Sequence, residues 1–140
     1  MSRHPPLSRE EREGLVAALA RVMAETPPVL FAYLFGSVTQ GLAFEDVDVA
    51  VYLAEDVQDG LAVALGLAAD LERATGLPVD VTALNDAPIG VALAAAQGEV
   101  VYCRAPRARL AFLEHTALRA MDTQYLRRQS VRDLLGIPPR

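Results

Sequence analysis

Apolar positions along the chain follow two kinds of pattern, the spacing of a helix and the short runs typical of buried strands. Near the start, Ser8 and Glu11 form the signature of a capping box, and apolar residues then recur every three or four positions, which predicts a helix over 8–25. Pro27 and Pro28 end that helix. Short apolar runs predict four strands, over 29–35, 46–53, 79–84 and 100–103.

Further helices are predicted between and after these strands. Asp59 can cap one of them and Gly76 can end it, while Asn85 or Asp86 can cap the next. The predicted helices are a short one beginning at Ser37, then 59–75, 85–97 and a long final helix over 108–135. This order indicates a fold of the α/β (α+β) class, in which helices pack on a small mixed sheet and a helical tail follows. A length of 140 residues fits one domain.

Two carboxylates stand at alternate positions where the second predicted strand begins. Side chains at alternate positions point to the same face of a strand, so Asp46 and Asp48 project together while Val47 faces the other way. Asp80 lies in the third predicted strand, between two valines. Like charges on one face repel and are costly to remove from water, so a cation is expected to neutralise them. Oxygen-ligated Mg²⁺ is the obvious candidate, with Asp80 completing the ligand set.

A glycine and a serine follow the first predicted strand. Gly36 allows the backbone to approach a ligand closely, and Ser37 can cap a short helix whose free N–H groups attract phosphate. Gly-Ser and Asp-x-Asp are each common in ordinary turns. Their conjunction with a third aspartate is much more specific, and it predicts a site for a metal-bound triphosphate.

These motifs resemble those of the minimal nucleotidyltransferase (MNT) family of the polymerase-β-like superfamily, and the likeness covers 29–102. The resemblance implies a nucleotidyltransferase fold in which Asp46, Asp48 and Asp80 are the catalytic residues and hold two Mg²⁺ ions. It also implies that Gly36 and Ser37 bind the phosphates of ATP, whose AMP is moved to a hydroxyl acceptor. The eight residues from Val38 to Glu45 form a shorter connection than the common family spacing. That departure puts the geometry of the triphosphate in doubt, and leaves the acidic ligands unaffected.

The acceptor is not visible in the sequence, because the chain has no additional substrate domain beside residues 1–104 and a helical extension over 105–140. The resemblance implies an antitoxin of a HEPN/MNT toxin–antitoxin system, which places AMP on a tyrosine of a HEPN ribonuclease toxin. One alternative is a non-catalytic binding module that neutralises its partner by occlusion, as the short connection would allow. Another is transfer to an aminoglycoside-like small molecule, attracted by the acidic cleft.

Charge is unevenly distributed along the chain, whose net charge is −5. Residues 1–103 hold 5 Arg and 15 Asp or Glu, whereas residues 104–140 hold 8 Arg and 3 acidic residues. The basic tail is either a solvated helix face that offsets the acidic part or a partner surface, through which homo- or hetero-oligomers would form. No direct DNA binding is expected. The chain contains no lysine, which excludes a P-loop lysine or a Schiff-base lysine.

The remaining candidate residues are expected to have structural roles and no catalytic one. Cys103 is the lone cysteine, so an intramolecular disulfide is excluded and a cytoplasmic location is expected, with no membrane span. His115 has no partner at zinc-ligand spacing, and His4 is expected to lie in a frayed terminus. Apolar residues of the final helix recur at helical spacing and predict a face that packs on the domain or on a partner: Leu110, Phe112, Leu113, Leu118, Met121, Tyr125 and Leu126.

Overall fold

A computed structural model describes residues 3–135, with side chains described as far as residue 122. Four helices and four strands make up this part of the chain. In chain order they are α1 Arg9–Ala24, β1 Val29–Phe35, β2 Val47–Leu53, α2 Gly60–Thr75, β3 Val79–Ala83, α3 Ile89–Ala96, β4 Glu99–Cys103 and α4 Pro106–Leu135. This architecture confirms the predicted fold class.

The strands form one mixed sheet in the order β3-β2-β1-β4. β1 runs antiparallel to both of its neighbours, β2 and β4. β3 runs parallel to β2, as a strand reached through a crossover helix can, and α2 is that helix. Phe35 pairs with Asp48 across β1 and β2, and Asp48 pairs with Asp80 across β2 and β3. The registers therefore align the candidate residues at one end of the sheet.

The two faces of the sheet carry separate cores. α1 and α2 cover the face that contains Val47, Val49 and Val51, all fully buried. α3 and α4 cover the opposite face, on which aromatic side chains dominate. The buried residues of this second core are Phe31, Tyr33, Ala50, Leu84, Ala87, Ala92, Ala95 and Phe112. Alternation along β2 sends Asp48 to the same face as Ala50, so the carboxylate lies at the end of the aromatic core.

The predicted ends of the first two helices are confirmed by their caps. The Ser8 hydroxyl accepts a hydrogen bond from the Glu11 N–H at 3.1 Å, and the Glu11 carboxylate accepts one from the Ser8 N–H at 2.9 Å. Asp59 caps α2 by accepting from the Ala62 N–H at 3.0 Å. Gly76 ends that helix with φ 73°, a left-handed conformation that favours glycine.

Two local predictions are wrong. The segment after Ser37 forms consecutive turns in place of the predicted helix, and its N–H groups bond carbonyls three residues back, as in Thr39 to Gly36 at 3.2 Å, where an α-helix would bond four back. α3 begins at Ile89 after Pro88, without a side-chain cap. Asn85 does not cap this helix because its amide bonds both backbone groups of Leu53, at 2.9 and 2.8 Å.

The prediction that His4 lies in a frayed terminus is also wrong. Its N–H donates to the Phe44 carbonyl at 2.7 Å, and the Phe44 N–H donates back to the His4 carbonyl at 3.0 Å. The two rings also stack, with centroids 5.3 Å apart. The N-terminal segment is thereby paired with the loop that leads to β2.

Side chains of the final helix divide between the core and solvent. Phe112 is buried and Leu113 packs against the aromatic core, which confirms a packed face. Leu110, Leu118 and Met121 are 56 to 64% exposed. The side chains of Tyr125 and Leu126 lie outside the described residues. No helix in the described part of the chain combines the length and hydropathy needed to cross a membrane.

Candidate active site

The three predicted carboxylates lie at the same end of the sheet and on the same face. Asp48 is the second residue of β2, and its partner in the parallel register is Asp80 on β3. Residues paired across neighbouring strands point to the same side, so these two carboxylates are neighbours. Asp46 comes just before β2 and is exposed, as is Asp80, whereas Asp48 is half-buried. The structure thus brings the two strands' acidic residues together as the sequence predicts.

Asp48 lies in an unfavourable environment for a negative charge. Its partial burial raises the pKa of the carboxyl above the ordinary value, and repulsion from Asp80 and then from Asp46 raises it further. Asp48 is therefore close enough to both neighbouring carboxylates to be repelled by each of them. A bound cation would relieve both costs.

Gly36 lies directly against this carboxylate. It follows Phe35, the β1 partner of Asp48, and its φ of 81° is in the left-handed region. A methyl group at this position would collide with the Asp48 carboxylate oxygen Oδ2. Glycine is therefore required here for the close approach of the turn to Asp48 as well as for the backbone conformation.

The turn that begins at Gly36 is fixed by local hydrogen bonds. The Thr39 hydroxyl donates to the Gly36 carbonyl at 2.7 Å, and the Leu42 N–H donates to the Ser37 carbonyl at 3.1 Å. Val38 and Phe44 anchor the loop by inserting into the core under α1 and α2. The short connection between Ser37 and Asp46 is thus a compact, packed loop.

A cavity of about 260 Å³ opens between this loop and β2. It joins Ser37 to Asp46 and Asp48, the pairing that a phosphate-and-metal site requires. Asp80 is not among its lining residues and stands beside Asp48 on the neighbouring strand. The remaining lining residues are Arg3, Ala43, Phe44 and Glu45.

The donor set suits Mg²⁺ bound together with a substrate. Among the side chains described, those of residues 3–122, no three from His, Cys, Asp or Glu are placed to hold a single ion by themselves. Mg²⁺ is usually held by one or two carboxylates together with waters and substrate phosphates. Carboxylate oxygens beside a turn that can approach phosphate closely fit that mode of binding.

Sequence reasoning missed Arg3, which enters the cavity from the N-terminal segment. It also missed Arg12 of α1, whose guanidinium bonds Glu99 on β4 at 2.8 Å and reaches the Thr39 carbonyl at 3.5 Å. In each case the arginine and the residues it lies beside are far apart in the chain. No local pattern could have indicated them.

Comparison with known protein families identifies the chain. A family model described as Polymerase beta, Nucleotidyltransferase matches residues 18–107, more than half of the sequence. The chain belongs to this nucleotidyltransferase family. The matched region runs from α1 to the start of α4 and contains every predicted site residue. No curated protein matches the chain.

Solved structures similar to this nucleotidyltransferase come from toxin–antitoxin complexes. One is a toxin–antitoxin with AMP-PNP, at 25% identity and a TM-score of 0.67, covering 86% of this chain and 98% of the other. A second is a tri-AMPylated HEPN toxin from Shewanella oneidensis in complex with an MNT antitoxin, at 23% identity and a TM-score of 0.62 over 89% and 98% of the two chains. A third is an MntA–HepT mutant complex at 24% identity and a TM-score of 0.65, covering 82% and 94%.

Proposed function

We propose that this nucleotidyltransferase moves AMP from Mg²⁺-ATP to a tyrosine hydroxyl of a HEPN ribonuclease toxin and thereby acts as its antitoxin. The observation that carries the proposal is the meeting of Gly36 and Asp48, which places a phosphate-approaching turn against a carboxylate whose neighbours are Asp46 and Asp80. The similarity to complexes of HEPN toxins and MNT antitoxins supports the choice of acceptor.

The residues have distinct roles in this proposal. Gly36 and Ser37 hold the β- and γ-phosphates through backbone N–H groups and the hydroxyl, and Ser37 lines the cavity together with Asp46 and Asp48. Asp46 and Asp48 would hold one Mg²⁺ ion, and Asp80 would contribute to a second. When bound, Mg²⁺ would neutralise the triphosphate and make the α-phosphorus more electrophilic.

Transfer would proceed by direct displacement at the α-phosphorus. The acceptor oxygen forms a bond to phosphorus, the bond to the bridging oxygen breaks, and pyrophosphate leaves. Asp80 accepts the proton of the attacking hydroxyl, since it is exposed at the edge of the sheet beside Asp48. Positioning and charge neutralisation supply the rate, with no covalent intermediate on the enzyme.

The organisation of the chain agrees with an acceptor that is itself a protein. We propose that residues 1–104 form the catalytic domain and that residues 105–140 extend it as a helix. The catalytic end of the sheet is shallow and open, with Asp46 and Asp80 both exposed. An open site of this kind suits a side chain presented on the surface of a partner. We propose a cytoplasmic location, which the proposed use of ATP and of a ribonuclease partner supports.

A transfer assay with purified proteins tests the proposal. The chain is incubated with the product of each adjacent gene and Mg²⁺-ATP, a HEPN protein being the expected acceptor, and both proteins are weighed by mass spectrometry. We expect one or more AMP groups on the toxin, and none after addition of EDTA. Asp48→Asn and Asp80→Asn should abolish transfer and keep the melting temperature at or above that of the wild type.

A matched variant controls for loss of a surface charge in that assay. Glu72→Gln removes an exposed carboxylate from α2 and should transfer AMP at the wild-type rate. Full transfer by either aspartate variant would refute the assigned roles. An unmodified toxin that is still inhibited would refute the proposed reaction.

Neutralisation by occlusion is the second candidate, favoured by the exposed apolar residues of α4. Leu110, Leu118 and Met121 are more than half exposed, which is unusual for large apolar side chains grouped on one helix. Under this hypothesis, Asp48→Asn would still protect cells from the toxin. Under the enzymatic proposal that variant would not protect them.

A further inference from the structure

The N-terminal segment forms one wall of the candidate site. His4 and Phe44 exchange two backbone hydrogen bonds, so the segment is paired with the loop two residues before Asp46. Stacking of the His4 and Phe44 rings adds to this pairing, and Leu7 packs against the core beneath α1. The position of Arg3, next to His4, is therefore fixed relative to the cavity.

Among the residues whose side chains the structure describes, Arg3 is the one basic residue that lines the cavity with Ser37, Asp46 and Asp48. Its guanidinium lies 3.8 Å from the Glu45 carboxylate, with 70% of the side chain exposed. An ion pair this long and this exposed contributes little, so it can be exchanged for a stronger partner at small cost. The chain has no lysine that could serve instead.

We infer that Arg3 binds the β- and γ-phosphates of the nucleotide and is a substrate-contacting residue of the transfer reaction. A triphosphate that enters this cavity meets three carboxylates, Glu45, Asp46 and Asp48, and one guanidinium. The planar guanidinium of arginine donates paired hydrogen bonds to phosphate oxygens. Ser37 is proposed to hold the same phosphates, and it shares the cavity with Arg3.

This role rests on the proposed function, and it differs from a simpler structural one. If Arg3 served only to fasten the loop through Glu45, loss of either residue would loosen the loop and weaken the binding of every nucleotide. If Arg3 binds phosphate, Glu45 competes for the guanidinium. Removing the Glu45 charge should then strengthen ATP binding. The two roles therefore predict opposite effects for Glu45→Gln.

The test compares binding and transfer in variants of the full chain, with any purification tag placed at the C terminus. Arg3→Gln should raise the Kd and KM for Mg²⁺-ATP about tenfold, as expected for loss of a charge-assisted hydrogen bond. Its affinity for AMP, which lacks the β- and γ-phosphates, should be unchanged. Arg3→Lys should recover part of the loss, and Glu45→Gln should lower the Kd for ATP roughly two- to fivefold.

Arg9→Gln is the matched control, because Arg9 forms an exposed ion pair with Glu13 at 3.4 Å on α1 and does not line the cavity. It should bind ATP as the wild type does. Wild-type ATP affinity in Arg3→Gln, or equal losses for ATP and AMP, would overturn the inference and leave the proposed function intact. Failure of the wild type itself to bind Mg²⁺-ATP would overturn both.

Discussion

Asp48 serves the proposed chemistry at a cost to the stability of the fold. Burial and two neighbouring carboxylates raise its pKa, which means that the folded state disfavours the ionised form relative to the unfolded chain. The ionised carboxylate is nevertheless the form that binds a cation. A residue with this conflict is typical of a functional site, where strain is tolerated because a ligand relieves it.

Replacing Asp48 by Asn should therefore stabilise the metal-free protein. Because the folded pKa of Asp48 is raised, the penalty is present at neutral pH and disappears as the pH falls below the ordinary value near 3.8. We expect the variant to melt roughly 1–3 °C higher than the wild type at pH 7 in EDTA, after allowance for solvent screening of this half-exposed group. The difference should shrink toward pH 4. A lower melting temperature at pH 7 would show that the repulsion is unimportant.

At the scale of elements, the sequence predicts the framework well and the connections less well. The capping residues Ser8 and Asp59 act locally, through backbone groups three positions away, and both predictions are confirmed. The positions predicted for the three aspartates follow from the strand pattern, which is also a local feature of the sequence. Their shared face follows once Asp48 and Asp80 lie in register.

The loop before Asp46 shows why the rest could not be predicted. The pattern after Ser37 favours a helix, but the loop is fixed by insertion of Val38 and Phe44 into the core and by pairing with His4. Contacts between distant positions determine the conformation of the loop, and the residue pattern within the segment does not indicate them.

The two glycines of this loop share a backbone conformation but differ in what surrounds them. Gly36 and Gly41 both have positive φ, of 81° and 71°, but only at Gly36 would a methyl group meet the Asp48 carboxylate, whereas nothing lies within 4 Å at Gly41. Gly41→Ala should cost about 1 kcal/mol of stability from backbone strain alone. Gly36→Ala should cost at least about 1 kcal/mol more and abolish AMP transfer. Urea unfolding of the two variants measures the difference, and equal losses would show that the close approach to Asp48 is unimportant.

At the scale of the whole molecule, the candidate site lies at the boundary between the buried and the open parts of the sheet. The aliphatic face under α1 and α2 is buried along its length, and the loop anchors Val38 and Phe44 join that core. The aromatic face under α3 and α4 is buried only as far as the first residues of β2, where Asp48 is half-buried. The site therefore lies where packing stops, on strands that the cores keep rigid. Ligands that bind here are coupled to the stability of the entire domain.

Under the proposed function, that coupling should make Mg²⁺-ATP a stabiliser of the fold. A ligand at ten times its Kd adds about 1.4 kcal/mol to the free energy of unfolding, which corresponds to a rise of roughly 3–6 °C in melting temperature for a domain of this size. We expect the rise with Mg²⁺-ATP and its loss on chelation with EDTA, since the phosphates alone would meet uncompensated carboxylates. Asp48→Asn, although more stable without ligand, should gain nothing from Mg²⁺-ATP. An equal rise in melting temperature in the variant would show that nucleotide binding does not depend on Asp48. That result would refute the proposed site.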